Sequence, residues 1–277
     1  MYSKLVIGCF LQVLMAGRGA RFHLQSEGRA ALVPTSSHPA DMLVRKLGSI
    51  AQLSDEERRA VMGLPMTARP LPGGHDIACE HDRPMQCCLI LDGWASRYQF
   101  LAEGRRQIFS FHIPGDIPDL QCLHLRVMDH SLCALTPVML AFIPHEAIRD
   151  LTTGYPGIAA TLWRDTLVDG AVFREWMVGM GRRSACQAVA HLFCEMYVKL
   201  EAVGLAKNHR YKLPITQVDI ADALGLSNVH VNRVLRQLRE ENLVVLRNGW
   251  LNISNWPELV KISEFDPLYL HVDRLAA

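Results

Sequence analysis

In the stretch "SNVHVNRVLRQLREEN", Asn228, Asn232, Arg233 and Arg236 fall on one face of a helix if the segment is helical. An asparagine amide can pair with N6 and N7 of adenine, and an arginine fork with O6 and N7 of guanine. A helix carrying them along one side can therefore read base edges in a major groove. Val229 lies on the same side, where a β-branched methyl can meet a thymine methyl, and His230 at the flank can donate to a phosphate. Thr216 and Gln217, just upstream, and Ser227 complete the expected DNA-facing set. On an ordinary amphipathic helix the same side chains would form only a solvated polar face.

Two short helices must hold that face in place. The first is expected over about Gln217–Leu224, and Gly225 supplies the left-handed turn that other residues resist. Ser227 can cap the second helix by accepting a backbone N–H from its first turn. Ala221, Gly225 and Val231 stand where two steeply crossing helices need a small residue, a turn and a branched residue. Ile220, Leu224, Leu226, Val231, Val234, Leu235 and Leu238 supply a shared apolar side. Downstream, "LVVLRNGWLNISN" reads as a hairpin with Asn248-Gly249 at its tip. Over residues 205–250, seven Lys/Arg stand against four acids, a mild local surplus in a chain whose net charge is only +1.

Upstream, residues 42–64 read as helical, with Ser54 and Glu57 spaced as a capping box. Residues 65–143 are short apolar runs broken by "LPGG", "LDG", "AEGR" and "IPGD", the texture of an antiparallel sandwich or barrel. From about Gly157 to Ala202 the pattern becomes long and helical. Leu162, Thr166, Asp169, Phe173, Trp176 and Met180 recur at three- to four-residue spacing, which points to a dimer seam, with Trp163 and Trp176 in its core. Gly181 and "RRS" mark a break before a second helix at Ser184. "GLAKNHRYKLP" reads as a polar joint.

From about 42 to 260 the chain resembles the Crp/Fnr family of bacterial transcription regulators, most specifically in "TQVDIADALGLSNVHVNRVLRQLREENLV" and continuously through "LILDGWASRYQFLAEGRRQIFSFHIPGD". The resemblance implies an α+β protein: an N-terminal antiparallel β-roll of the cyclic-nucleotide-binding type, a long dimerisation helix and a C-terminal winged helix-turn-helix. The corresponding divisions are 1–41 as an unstructured or wrongly assigned extension, 42–153 as β-roll sensor, 154–204 as the dimerisation helix region and 205–277 as the DNA-binding domain. It further implies a homodimer on double-stranded DNA, with half-sites about one turn, ~34 Å, apart, and RNA polymerase as a candidate partner. Ser227, Asn228, His230 and Arg233 fall where the family contacts DNA. Well-known members carry Arg and Glu at the positions of Asn228 and Val229, so this chain is expected to read a different half-site.

The family's nucleotide pocket uses a Gly-Glu pair and then an Arg-Ser pair. Here Gly115-Asp116 stands at the first and Met128-Asp129 at the second, with Arg126 two residues off. Gly115, Asp116, Arg126 and Asp129 are thus the candidate effector residues. A carboxylate where a phosphate would rest is repulsive, so cAMP is not the expected effector, whose identity stays open. No cofactor or metal is expected. An iron–sulfur sensor needs clustered N-terminal cysteines and only Cys9 lies there, while Cys79-Glu80-His81 is a lone thiolate–imidazole pair. His112, His124 and His130, near the presumed pocket, read as ordinary core or surface residues.

The 277 residues allow two cores, and eight cysteines without a repeating frame read as reduced, mostly buried thiols of a cytoplasmic protein. "MYSKLVIGCFLQVLMAG" has an apolar run too short to span a bilayer comfortably, and Met42 is an alternative start. No Gly-rich phosphate loop, G-x-S-x-G or H-E-x-x-H supports an enzyme. The competing reading is a small-molecule-binding module whose helical tail docks on protein, for which Asn232 and Arg233 would be dispensable.

Overall fold

The structure, a computed structural model, describes residues 38–272. The extension expected over 1–41 lies, up to residue 37, outside the described residues. The first element, α1 (Ala40–Ile50), buries Ala40, Leu43, Val44 and Leu47 along one stripe. The second, α2 (Asp55–Met62), begins at the expected capping box: Ser54 Oγ accepts the Glu57 N–H at 3.2 Å, and Glu57 Oε2 accepts the Ser54 N–H at 2.9 Å. The helical segment expected over 42–64 is thus two helices, with Ala51 extended between them and the second starting at the expected cap.

Seven antiparallel strands follow: β1 (Thr67–Leu71), β2 (Asp76–Ala78), β3 (Gln86–Asp92), β4 (Ala95–Phe100), β5 (Arg106–His112), β6 (Ser131–Ala134) and β7 (Val138–Pro144). They form two sheets, ordered β1-β7-β3 and β2-β6-β4-β5. The period-2 geometry of a strand explains why "CCLI" in β3 is apolar without interruption. Cys88 and Ile90 enter the core between the sheets, while Cys87 and Leu89 face α1 and the helices after β7. The β3–β4 turn needs Gly93, whose φ is +84° and whose Cβ, if it had one, would lie 2.4 Å from the Pro137 carbonyl oxygen.

After β7 come α3 (His145–Gly154), α4 (Pro156–Arg182) and α5 (Ala185–Ala202). The break is where the sequence placed it, with Ser184 and Gln187 forming the capping box of α5. That helix is buried from Ala188 to Tyr197 on every side. It even encloses Glu195, whose carboxylate accepts from Trp176 Nε1 at 3.0 Å and Tyr269 Oη at 2.8 Å.

Most of the stripe expected to be a dimer seam faces the chain's own core instead. Trp176 packs its ring 5.8 Å from Phe111, Phe173 sits 6.0 Å from Phe109, and Asp169 pairs with Arg97. The open side of α4 is offset by one residue: Trp163, Leu167, the half-buried Gly170, Arg174, Met177 and Gly181, with Trp163 and Met177 at least 70% exposed. A helix with two apolar sides offers two stripes of similar period, and periodicity alone does not say which one the chain covers.

The C-terminal part comprises β8 (Ala206–Lys207), β9 (Arg210–Lys212), α6 (Gln217–Leu224), α7 (Asn228–Glu240), β10 (Val244–Arg247), β11 (Trp250–Ile253) and α8 (Trp256–Ser263). The stretch read as a polar joint is a tight hairpin, with Asn208 and His209 at φ +52° and +56°. Its strand β9 joins β11, so the wing is a four-stranded sheet ordered β10-β11-β9-β8. One core runs from Tyr98, Ile108 and Phe111 of the β-roll through α5 to Ile220, Val231 and Leu238. Among the described residues no helix is long and apolar enough to cross a membrane.

Candidate nucleic-acid interface and sensor cavity

Helix α6 starts at Thr216, whose Oγ1 accepts the Asp219 N–H at 3.2 Å while Asp219 Oδ2 accepts the Thr216 N–H at 2.9 Å. It ends at Gly225 in the left-handed region, φ +66° and ψ +30°. Nothing lies within 4 Å of a Cβ added there, so the glycine answers to backbone geometry alone. Gly225→Ala is expected to lower stability by about 1 kcal/mol in urea unfolding; an unchanged midpoint would mean that the turn relaxes freely.

Helix α7 starts at Ser227, whose Oγ accepts the His230 N–H at 3.3 Å. Val231, Val234 and Leu238 are buried against Ile220 and Ala221, with Leu224, Leu226 and Leu235 partly covered beside them, as the apolar pattern required. The other side is open. Asn228, Val229, Asn232, Arg233 and Arg236 are all exposed, Val229 by 80%, and His230 is half-buried at the flank. Thr216 is exposed and Gln217 half-buried at the start of α6. Neither Arg233 nor Arg236 has a hydrogen-bond or ion-pair partner among the described residues. Two features of the helix pair and its wing escaped the sequence reading. Arg239 extends the stripe one turn further, and Arg210 lies 4.5 Å over the Trp250 ring beside the wing tip. Arg239 follows Arg236 by three residues and Asn232 by seven, so helical spacing would have found it. The Arg210–Trp250 stack needed the β9–β11 pairing.

An ion-pair fork fixes this unit to the β-roll. Arg106 in β5 donates from Nη2 to Asp219 at 2.7 Å and from Nε to Asp222 at 2.8 Å. Asp219 thus serves the α6 cap and the inter-domain contact with one carboxylate. Arg106→Met is expected to lower stability by about 2 kcal/mol in urea unfolding, less than for a fully buried pair because the side chain stays 22% exposed. An unaltered midpoint would make the fork idle.

Between the β-roll and α4 lies a cavity of about 490 Å³. Gly115, at φ +100°, carries α1 packed close on its backbone, and Asp116 beside it lines the cavity. Asp129 lines it too but is 77% exposed at its side chain and hydrogen-bonds His130 Nδ1 at 2.6 Å. Arg126 is exposed and does not line the cavity, so the four candidate effector residues are not brought together. Two of the three histidines near the pocket line it. Burial, and then the Arg97 guanidinium, lower the pKa of His112 to about 4 and hold His130 below the usual range. His124 is exposed elsewhere. Asp119 is pushed up to about 7 by burial, although the Cys88 N–H donates to it at 2.9 Å. Cys87, Cys88, Cys122, Cys133 and Cys194 are buried thiols, and the described residues contain no group of three or more His, Cys, Asp or Glu placed to hold a metal ion.

Residues 68–155 match the cyclic nucleotide-binding domain, and residues 187–262 match the Crp-like helix-turn-helix domain. The nitrogen fixation regulation protein FixK of Rhizobium meliloti is 27% identical over 192 residues, covering 69% of this chain and 83% of FixK. The transcriptional activator protein FnrL of Cereibacter sphaeroides is 23% identical over 220 residues, covering 77% of this chain and 87% of FnrL. The solved structure of FixK2 from Bradyrhizobium japonicum shares the fold, with a TM-score of 0.65 at 24% identity, over 77% of this chain and all of that one. A β-roll of cyclic-nucleotide-binding type, joined through a long helix to a winged helix-turn-helix, makes this chain a DNA-binding transcription regulator rather than an enzyme, and it belongs to the Crp/Fnr family.

Proposed function

We propose that the chain acts as a homodimer on a two-fold DNA site, each copy laying α7 in a major groove. The observation that carries this reading is the open face of α7, where Asn232, Arg233 and Arg236 are exposed beside a well-capped, well-packed helix pair. An arginine with no partner among the described residues can make bidentate contact with guanine or pair with a phosphate. Within this reading Arg233 and Asn232 read bases, Asn228 and Val229 set the half-site, and Thr216, Gln217, Ser227, His230 and Arg236 hold the backbone.

The functional divisions we assign are a sensor over 42–153, a dimerisation region over 154–204 and a DNA-binding domain over 205–277, preceded by an extension over 1–41. Dimerisation is assigned to the open stripe of α4, where Trp163, Leu167, Gly170, Arg174, Met177 and Gly181 recur at alternating four- and three-residue spacing. The cytoplasm, where DNA and RNA polymerase are met, is the assigned compartment, with polymerase the partner of the DNA-bound dimer.

Selection of bound fragments from a random double-stranded DNA pool by the purified full chain tests this directly. The expected product is a palindrome with half-sites about one helical turn, ~34 Å, apart. Absence of any enriched motif at low salt, where phosphate contacts are strongest, would sink the reading. An enriched motif without two-fold symmetry would remove the dimer.

A further inference from the structure

The charges that line the sensor cavity are already spoken for within the chain. Lys46 reaches in from α1, with Nζ 2.8 Å from Asp116 Oδ1 on the turn after β5 and 3.2 Å from Asp165 Oδ1 on α4. The other Asp116 oxygen accepts the Ile113 N–H at 3.1 Å. Arg97 makes a second cross-link, from Nη1 to Asp169 of α4 at 2.5 Å and from Nε and Nη2 to the Pro118 carbonyl at 2.8 and 2.6 Å. The third cation, Lys199, donates to the Phe111 carbonyl. Three cations therefore face four carboxylates, Asp116, Asp129, Asp165 and Asp169; burial lowers the pKa of His112 and His130, and a third histidine, His271, also lines the cavity. An incoming phosphate would meet a surplus of negative charge.

Burial works against the Lys46 ammonium, yet the two carboxylates outweigh it and hold the pKa above the ordinary lysine range. They share it unequally. Asp116 is held far below the usual carboxylate range, because Lys46 overcomes its burial, whereas burial and the neighbouring Asp116 leave Asp165 raised. The closer contact is the stronger one, and Asp165 is the weaker partner. Glycine at 115 belongs to the same arrangement: a Cβ there would lie 3.0 Å from Lys46 Cβ and 3.3 Å from the Met42 carbonyl.

We propose that Lys46 is the sensor's own ligand. Its ammonium stands between the Asp116 turn and α4, where an external effector would have to bridge them, so the cavity takes a primary ammonium and the chain provides it. DNA binding then needs no added effector, and the class of molecule this place accepts once the Lys46 ammonium is removed is an alkylammonium, not a cyclic nucleotide. The inference rests on the proposed reading in one respect, that α4 relays the sensor to DNA.

Lys46→Ala in the full chain lacks what 1-propylammonium would restore. The expected result is a fall of several degrees in Tm that millimolar propylammonium reverses and 1-propanol does not. Wild type should respond to neither amine nor cAMP. DNA affinity, read by fluorescence anisotropy on the selected palindrome, should fall about tenfold in the variant and return with the amine. Recovery of Tm without a change in DNA affinity would keep the ammonium site and remove the relay through α4. No amine-specific recovery in a folded variant, or stabilisation of wild type by cAMP, would overturn the proposal. Should Lys46→Ala not fold, Lys46→Met keeps the stem; Asp165→Asn added to it should then lower stability no further, and additive losses would overturn the bridge.

Discussion

Arg233→Ala is expected to lower affinity for the selected palindrome by roughly a hundredfold or more, with the enriched motif degraded at one position in each half-site. A bidentate arginine–guanine pair discriminates by about 1–3 kcal/mol, and a two-fold dimer loses it twice. The fold should not suffer. Arg233 is exposed on α7 and has no partner among the described residues, and such surface substitutions stay within about 0.5 kcal/mol. Unfolding and binding are therefore separable readouts on the same sample. Arg236→Ala serves as the contrast: as a phosphate contact it should weaken all sequences alike and shallow the salt dependence by about one counterion per copy. Unchanged motif and affinity in Arg233→Ala would mean that α7 does not present its open face to base edges.

What the sequence made legible were features with local causes. Ser54, Ser184 and Ser227 cap helices because a short hydroxyl side chain can reach a first-turn N–H, and that geometry spans only three residues. Gly225 and the Asn248-Gly249 tip mark left-handed backbone in the same way. The apolar side shared by α6 and α7 was readable because both helices are short and each has one side to bury. Long-range pairing was hidden. Arg97 lies in a strand buried on both faces, and its partner Asp169 stands 72 residues away on α4, a separation no local pattern bridges. Arg126 was expected in the pocket on sequence proximity to Asp129, but the loop turns it to solvent. The hairpin of β8 and β9 escaped because strands of two and three residues carry too little alternation to register.

The same limit applies to α4, and our proposal that its open side forms the dimer seam makes a sharp prediction. Leu167→Glu combined with Met177→Glu is expected to convert the dimer to a folded monomer. Leu167 is 59% exposed and Met177 70%, so neither contributes much to the chain's own core. In a parallel seam each would meet its own copy, and the double variant would bring four carboxylates together in an apolar interface. Sedimentation velocity reads the outcome. Affinity for the palindrome should drop toward that of a half-site, about 10²–10⁴-fold, because the second half-site is no longer delivered at high effective concentration. Phe173→Ala, off this stripe, provides the opposite signature. Its ring packs on Phe109 within the same chain, so it should lower stability while leaving the dimer intact. If the double glutamate variant stays dimeric, the seam lies elsewhere. If Phe173→Ala dissociates the dimer without loss of monomer stability, the inward stripe joins the two copies after all. The two variants together decide which side of a 27-residue helix faces the partner, a choice that periodicity alone leaves open.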